Sequence, residues 1–250
     1  LLGQQKATAG RASLLGLEVW KHRCAIMTAV GVVAETPNIP PEMTADRLQR
    51  FMAEVSAKWD REKYDSRLER FGVPRGIRFH RLSKGQMRQL SLTAAIATSP
   101  QLLILDDPTL GLDPVARREL FEELVGEMAD RGTSVFITTH DLAGVEGIAD
   151  RIGILKDGRL LVDEKLETVK SRFRRLEFAS DEEGLREAVA AKMQPLQSAV
   201  GGGGGVVVGG FDDSVLSRVS QAEPAARVTA EPMSLEEIFV ALCGENGGGE

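Results

Sequence analysis

This 250-residue chain is short of the residues that staple, ligate or span. It has two cysteines, Cys24 and Cys243, far apart and without metal-ligand spacing. A structural-metal ribbon or a disulfide-built scaffold is therefore excluded, and a reducing cytoplasm is the default compartment. A single Cys24–Cys243 disulfide stays open as a possibility without support. Apolar runs are short: none approaches the roughly 20 residues that cross a bilayer, so any membrane role must come through a partner. No apolar h-region follows the Leu-Leu-Gly-Gln-Gln-Lys start, so no secretory signal is expected in these residues. Excess positive charge is missing too. Lys and Arg number 31 against 37 Asp and Glu, a net charge of -6, which argues against a free-standing nucleic-acid binder. The pair Gly-Lys never occurs, so the phosphate-cradling pattern G-x-x-x-x-G-K-[ST] is missing from these residues. Gly3 to Thr8 lacks its second Gly. Gly201–Gly205 runs into Val206-Val207-Val208, a strand rather than a helix N-terminus.

What is present reads as an ordinary globular chain, 42% hydrophobic and 27% charged, with ample core. Ala29 to Ala34 is a buried strand, and Pro37, Pro40 and Pro41 impose a loop after it. Residues 44–99 read as mostly helical, with Thr44 as a cap and breaks near Gly72-Val-Pro74 and Gly76. Leu102 to Leu105 is a continuous apolar strand of the kind buried in a parallel sheet. Asp113 and Pro114 start a helix that Gly132 stops near Arg131. Ser134 to Thr138 is the next strand, followed by a helix through Ile148. Asp157-Gly158 marks a hairpin. Leu166 to Arg175 reads as a basic helix, Arg175 to Phe178 and Val206 to Phe211 as strands, and Ser234 to Leu242 as a closing amphipathic helix. Alternating strands and helices imply a parallel sheet covered on its faces.

Four short motifs carry the chemistry: Leu82-Ser83-Lys84-Gly85-Gln86, then Leu102 to Pro108 ending in Asp106-Asp107, then Gly111-Leu112-Asp113-Pro114, then Thr138-Thr139-His140-Asp141. Each has a bland reading. Ser83 can simply cap a helix, Asp106 can end a solvated strand, Asp113 can cap the next helix, and a lone His is more often a surface residue than a catalytic one. Their common order and spacing favour function. A carboxylate at the end of a sheet strand meets ligands in doubly wound folds, and a helix N-terminus favours anions.

In that order the motifs resemble those of ATP-binding cassette (ABC) ATPases, and Lys84 in place of Gly, together with Ser234 to Leu242, resembles the exporter branch. The resemblance covers nearly the whole chain, with Thr8 to Gly16 similar to the family's early turn and strand. It implies an α/β fold: a P-loop NTPase-like parallel sheet with a helical subdomain and a small α+β C-terminal extension. Residues 1–35 and 100–163 would form the core, 36–99 the helical signature subdomain, and 164–250 the extension. It implies ATP and Mg²⁺ as ligands, with Asp106 and Glu35 toward the metal, Asp107 and His140 catalytic, and Ser83, Lys84, Gly85, Gln86 and Asp113 toward nucleotide. Glu35 stands where the family often has Gln; a solvated Glu is its competing reading.

Asp107 stands where the family usually has Glu, so its oxygens fall roughly 1.5 Å short of the usual place. A displacement of about 1 Å costs on the order of 100-fold, so slow hydrolysis is expected. The family's phosphate loop and first strands would precede Leu1, with Leu1-Leu2-Gly3 as the end of the helix after that loop. The chain is thus expected to be a truncated form that binds ATP weakly alone, is poorly soluble, and exposes the strand leading to His140. Implied partners are a separate membrane permease, met through the loop at 37–41 and residues 44–99, and a second ATPase subunit. Nucleic acid is not among them. The place is the cytoplasmic face of the membrane. Trp59 and Tyr64 belong either to that docking surface or, as the favoured reading, to plain helical core. The alternatives are a soluble ABC ATPase and a non-catalytic regulatory relative.

Overall fold

The computed structural model describes residues 2–178, 206–211 and 228–244; the Gly201–Gly205 turn lies outside them. The chain divides into two compact units, Leu1–Asp141 and Leu142–Glu250.

In the first unit, three parallel strands are ordered β3 (Val30–Val33), β4 (Leu102–Asp106), β5 (Ser134–Thr138). Register is set by Val33 opposite Leu105, and by Leu105 and Asp106 opposite Ile137 and Thr138. The apolar run at 102–105 folds as a central strand because both faces are covered. Leu103 and Leu105 pack with Leu92 and Ile96 of α4 (Lys84–Ala97) and with Leu120 and Leu124 of α5 (Pro114–Arg131). Ile104 faces the other way, onto Val19, Ile26 and Val30. Each such Leu contributes roughly 1.5–3 kcal/mol on burial. Gly31 of β3 is required by this packing: a Cβ there would lie 2.9 Å from Leu103 Cδ1 and 3.0 Å from the Ala95 carbonyl. Strand β5 closes one edge of the sheet and exposes Phe136. Ahead of the sheet come a small hairpin, β1 (Ser13–Leu14) and β2 (Leu17–Glu18), and the short helix α1 (Arg23–Met27). Leu1 lies outside the described residues, and Gly3 to Gln5 is a bend, not the helix end expected, with Gly3 at φ 66°.

Helices α2 (Ala45–Val55) and α3 (Arg61–Arg70) pack on α4 around Leu48, Tyr64, Leu68, Leu90 and Ala94. Thus α4 serves two cores at once. Tyr64 is fully buried and its hydroxyl donates to the Ala45 carbonyl at 2.9 Å; burial pushes that phenol upward. Trp59 packs against it at a tilt of 48°, with ring centroids 5.0 Å apart. Both belong to the helical core, the favoured of the two readings. A buried ionic seam joins α3 to α5. Lys63 Nζ meets Glu127 at 2.6 Å, Arg67 reaches both Glu123 and Glu127, and Arg70 meets Glu123 at 3.0 Å.

The second unit contains α6 (Leu142–Glu146), the hairpin β6 (Arg151–Lys156) and β7 (Arg159–Lys165), α7 (Leu166–Arg172), and an antiparallel sheet ordered β10 (Val228–Pro232), β8 (Phe173–Phe178), β9 (Val206–Gly209), closed by α8 (Leu235–Cys243). Asp157 and Gly158 both take positive φ, the conformation a two-residue hairpin turn demands. Two boundaries differ from the sequence reading. The basic helix ends at Arg172, not Arg175, because Phe173 and Leu176 are buried as strand residues pairing with Gly209 and Val206. The hairpin packs within the second unit, where Ile154 and Val162 bury with Val169, Phe173 and Ile238. Helix α6 stops at Glu146, short of Ile148. Ser234 caps α8 in a reciprocal capping box with Glu237, and the Ser234 backbone N–H holds the Glu237 carboxyl below the usual range. Lys170 does the same for Glu146.

Candidate functional site

Asp106 is the last residue of β4 and is exposed. Because β4 and β5 are parallel and Asp106 sits opposite Thr138, the Thr138 hydroxyl donates to its Oδ1. Its other oxygen has no partner among the described residues. Asp107 turns away at φ 45°, a left-handed conformation unusual for a residue with a side chain. Its N–H donates to the Thr138 carbonyl at 2.7 Å. Its carboxylate lies 2.9 Å from His140 Nδ1 and accepts from Thr139 Oγ1 at 3.4 Å. His140 itself is 72% exposed on its side chain, so a ligand can reach the face that Asp107 leaves open. The Thr139 hydroxyl also accepts from the Asp141 N–H at 2.9 Å, which fixes the bend after β5.

The start of α4 adjoins this turn. Ser83 Oγ accepts from the Gln86 N–H at 3.2 Å, and Gln86 Oε1 accepts from the Ser83 N–H at 3.1 Å. This arrangement leaves the Ser83 hydroxyl hydrogen free to donate outward. The Lys84 and Gly85 amides lie in the first turn, where backbone N–H groups have no helical acceptor. A Cβ on Gly85 would sit 3.8 Å from Leu112, and one on Gly111 would sit 3.8 Å from Lys84 Cδ, so this helix start and the 111–113 loop are neighbours. Asp113 caps α5 through Val115 and Ala116 N–H at 2.9 and 3.0 Å. Arg88 of α4 reaches the Asp107 carbonyl at 3.1 Å.

Asp107 and His140 therefore meet directly, Asp106 is tied to the same strand end through Thr138, and Ser83 to Gln86 and Asp113 adjoin them through Arg88, Leu112 and Gly111. Glu35 does not join the network. It is exposed two residues past Val33, with no hydrogen bond among the described residues. Sequence reasoning placed Thr138 and Thr139 in the motif with His140 but gave them no role, and it missed Arg88. The two threonines were visible beside His140; nothing in the sequence marks Arg88 as buried.

No group of three or more metal-type side chains occurs among the described residues. A metal at Asp106 would therefore need substrate oxygens and water to complete its shell, which is how Mg²⁺ is usually held and fits a single open carboxylate. No helix among the described residues is long and apolar enough to cross a membrane.

Comparison with known proteins finds a family profile described as "AAA domain, putative AbiEii toxin, Type IV TA system" over residues 28–145. The chain is 28% identical over 239 residues to the ABC transporter ATP-binding protein YtrB of Bacillus subtilis (strain 168), spanning 95% of this chain and 80% of that protein. It is 30% identical over 181 residues to the bacitracin transport ATP-binding protein BcrA of Bacillus licheniformis, spanning 71% of this chain and 59% of that protein. Its fold resembles the structure described as the ATP binding subunit of an ABC transporter, with TM-score 0.61 and 25% identity, over 68% of this chain and 72% of the other.

Proposed function

We propose, from the premise that this chain belongs to the ATP-binding subunits of ABC transporters, that it couples ATP hydrolysis to export through a separate membrane permease. One observation carries the site assignment: Asp106, Asp107 and His140 converge at the carboxyl ends of adjacent parallel strands, where ligands bind in open α/β sheets.

Asp106 would hold Mg²⁺, with Glu35 near the same end of the sheet. The bound ion would supply neutralisation of charge on the phosphate oxygens. Asp107 orients the attacking water through its carboxylate. His140, steadied by Asp107 at Nδ1, donates to a γ-phosphate oxygen. Ser83 Oγ–H and the first amides of α4, at Lys84 and Gly85, grip the γ-phosphate of a nucleotide bound to an opposing subunit, with Gln86 locking that helix start and Asp113 beside it. These 250 residues contain no G-x-x-x-x-G-K-[ST] pattern, so their contribution to ATP binding is the signature side and the metal side. The second ATPase subunit completes the site. The helical segment at 36–99 meets the permease, which holds the chain at the cytoplasmic face.

The test is ATP hydrolysis by this chain assembled with its permease. Ser83→Ala and Asp106→Asn should each remove most turnover. Unchanged turnover in both would end the assignment.

A further inference from the structure

Arg88 carries a full charge yet is only 7% exposed. A buried guanidinium is costly unless its hydrogens are used. No carboxylate pairs with it among the described residues; its acceptor is the backbone carbonyl of Asp107, 3.1 Å from Nη1. That carbonyl also accepts from the Leu110 N–H at 3.2 Å. It belongs to the residue whose φ of 45° is left-handed without being glycine. Such a conformation persists only where its surroundings over-determine it. Two holds on its backbone from other elements do so here, beside the local Leu110 N–H: the Asp107 N–H on the Thr138 carbonyl, from β5, and Arg88, from α4. The first fixes the turn to the sheet. The second fixes it to the helix that begins at Ser83.

We infer that Arg88 is a positioning residue: its grip on the Asp107 carbonyl sets the left-handed turn that aims the Asp107 carboxylate at His140, so that carboxylate follows any movement of α4. Phosphate bound at the start of α4 is thereby sensed at Asp107, at the end of β4. This rests on the proposed reading of Asp107 as the water-orienting carboxylate. Neighbouring contacts agree with it: Leu112 against Gly85 and Lys84 against Gly111 give α4 and the 107–113 loop a shared surface, but of the α4 side chains among the described residues only Arg88 bonds the strained residue itself.

The test compares Arg88→Met, which keeps length and burial, with Arg88→Lys, which keeps the charge and a donor. Hydrogen exchange of the full chain is read at the Asp107 and Leu110 amides and, as a control, along α4 from Leu92 to Ile96. Arg88→Met should speed exchange at Asp107 and Leu110 about tenfold, the worth of one charge-assisted hydrogen bond, while the α4 amides stay as they are. Arg88→Lys should restore most of the protection. In the assembled transporter, Arg88→Met should lower kcat by a similar factor with KM for ATP near its original value, and Arg88→Lys should recover it. Unchanged exchange at the turn, or equal acceleration along all of α4, would overturn the inference, the second because it marks a residue that only holds the fold. Full turnover by Asp107→Ala would instead sink the catalytic reading of Asp107, and the exchange result would still decide whether Arg88 holds the turn.

Discussion

Two acidic sites in the first unit use carboxylates in opposite ways. Glu123 and Glu127 are 4% and 3% exposed and are saturated by Lys63, Arg67 and Arg70. At the ends of β4 and β5, the Asp106 and Asp107 carboxylates meet the Thr138 and Thr139 hydroxyls and His140, and no Lys or Arg side chain pairs with them among the described residues. Full neutralisation makes the α3–α5 seam a joint with nothing left to bind. An accessible carboxylate without a cation keeps its charge for a ligand. Reading acidic residues by count alone would treat the two places as equal; reading their partners separates a fastening from a site.

The largest effect expected is at the seam. Glu127→Ala takes the seam carboxylate from Lys63 and leaves Arg67 to Glu123 alone, and should destabilise the chain by about 3–5 kcal/mol in a urea melt. Replacing all five charges by apolar side chains of similar volume should be neutral or stabilising, which no loss-of-charge argument based on attraction alone would expect. Asp106→Asn inverts the pattern: the melt should move little, while ATP turnover in the assembled transporter falls about 100-fold or more. A large shift of the melt with intact turnover would erase the distinction between the two sites. Asp113→Ala should cost about 1 kcal/mol, the worth of a helix cap, measurable as a shifted urea midpoint. At the small end, Glu122→Ala breaks only the exposed pair with Arg118, 2.9 Å long, and should cost about 0.3–0.5 kcal/mol.

The second unit offers a pH counterpart. Glu146 and Glu237 are held below the usual carboxylate range by Lys170 and by the Ser234 N–H. Groups whose folded pKa is depressed add stability above the unfolded pKa and lose it as pH falls through the folded one. The second unit should therefore weaken on acidification below the ordinary carboxylate range, and Glu146→Gln should flatten that dependence in pH-dependent melts.

Much of the fold could be read from local chemistry. The apolar run at 102–105, the Asp113-Pro114 start, the Gly132 stop at φ 63° and the Asp157-Gly158 turn are each decided by their own residues. The site motifs were legible for the same reason: Ser83 caps its helix whatever surrounds it, and Asp106 ends its strand. What stayed hidden depends on partners far away in the chain. Lys63 and Glu127 are 64 residues apart, Arg70 and Glu123 are 53 apart, and no local pattern announces their burial. The same holds for Arg88, whose helical position looks solvent-facing until β4 and its left-handed turn are set beside it. The α7 to β8 boundary moved because Phe173 pairs with Gly209, a contact that periodicity cannot contain.

The most direct measurement is the rate of ATP hydrolysis by the assembled transporter carrying Asp107→Glu. If Asp107 aims the attacking water from a side chain one methylene short, the longer carboxylate should raise turnover, by up to on the order of 100-fold for a gain of about 1 Å. A rate unchanged or lowered by Asp107→Glu would contradict that role for the strand-end acids.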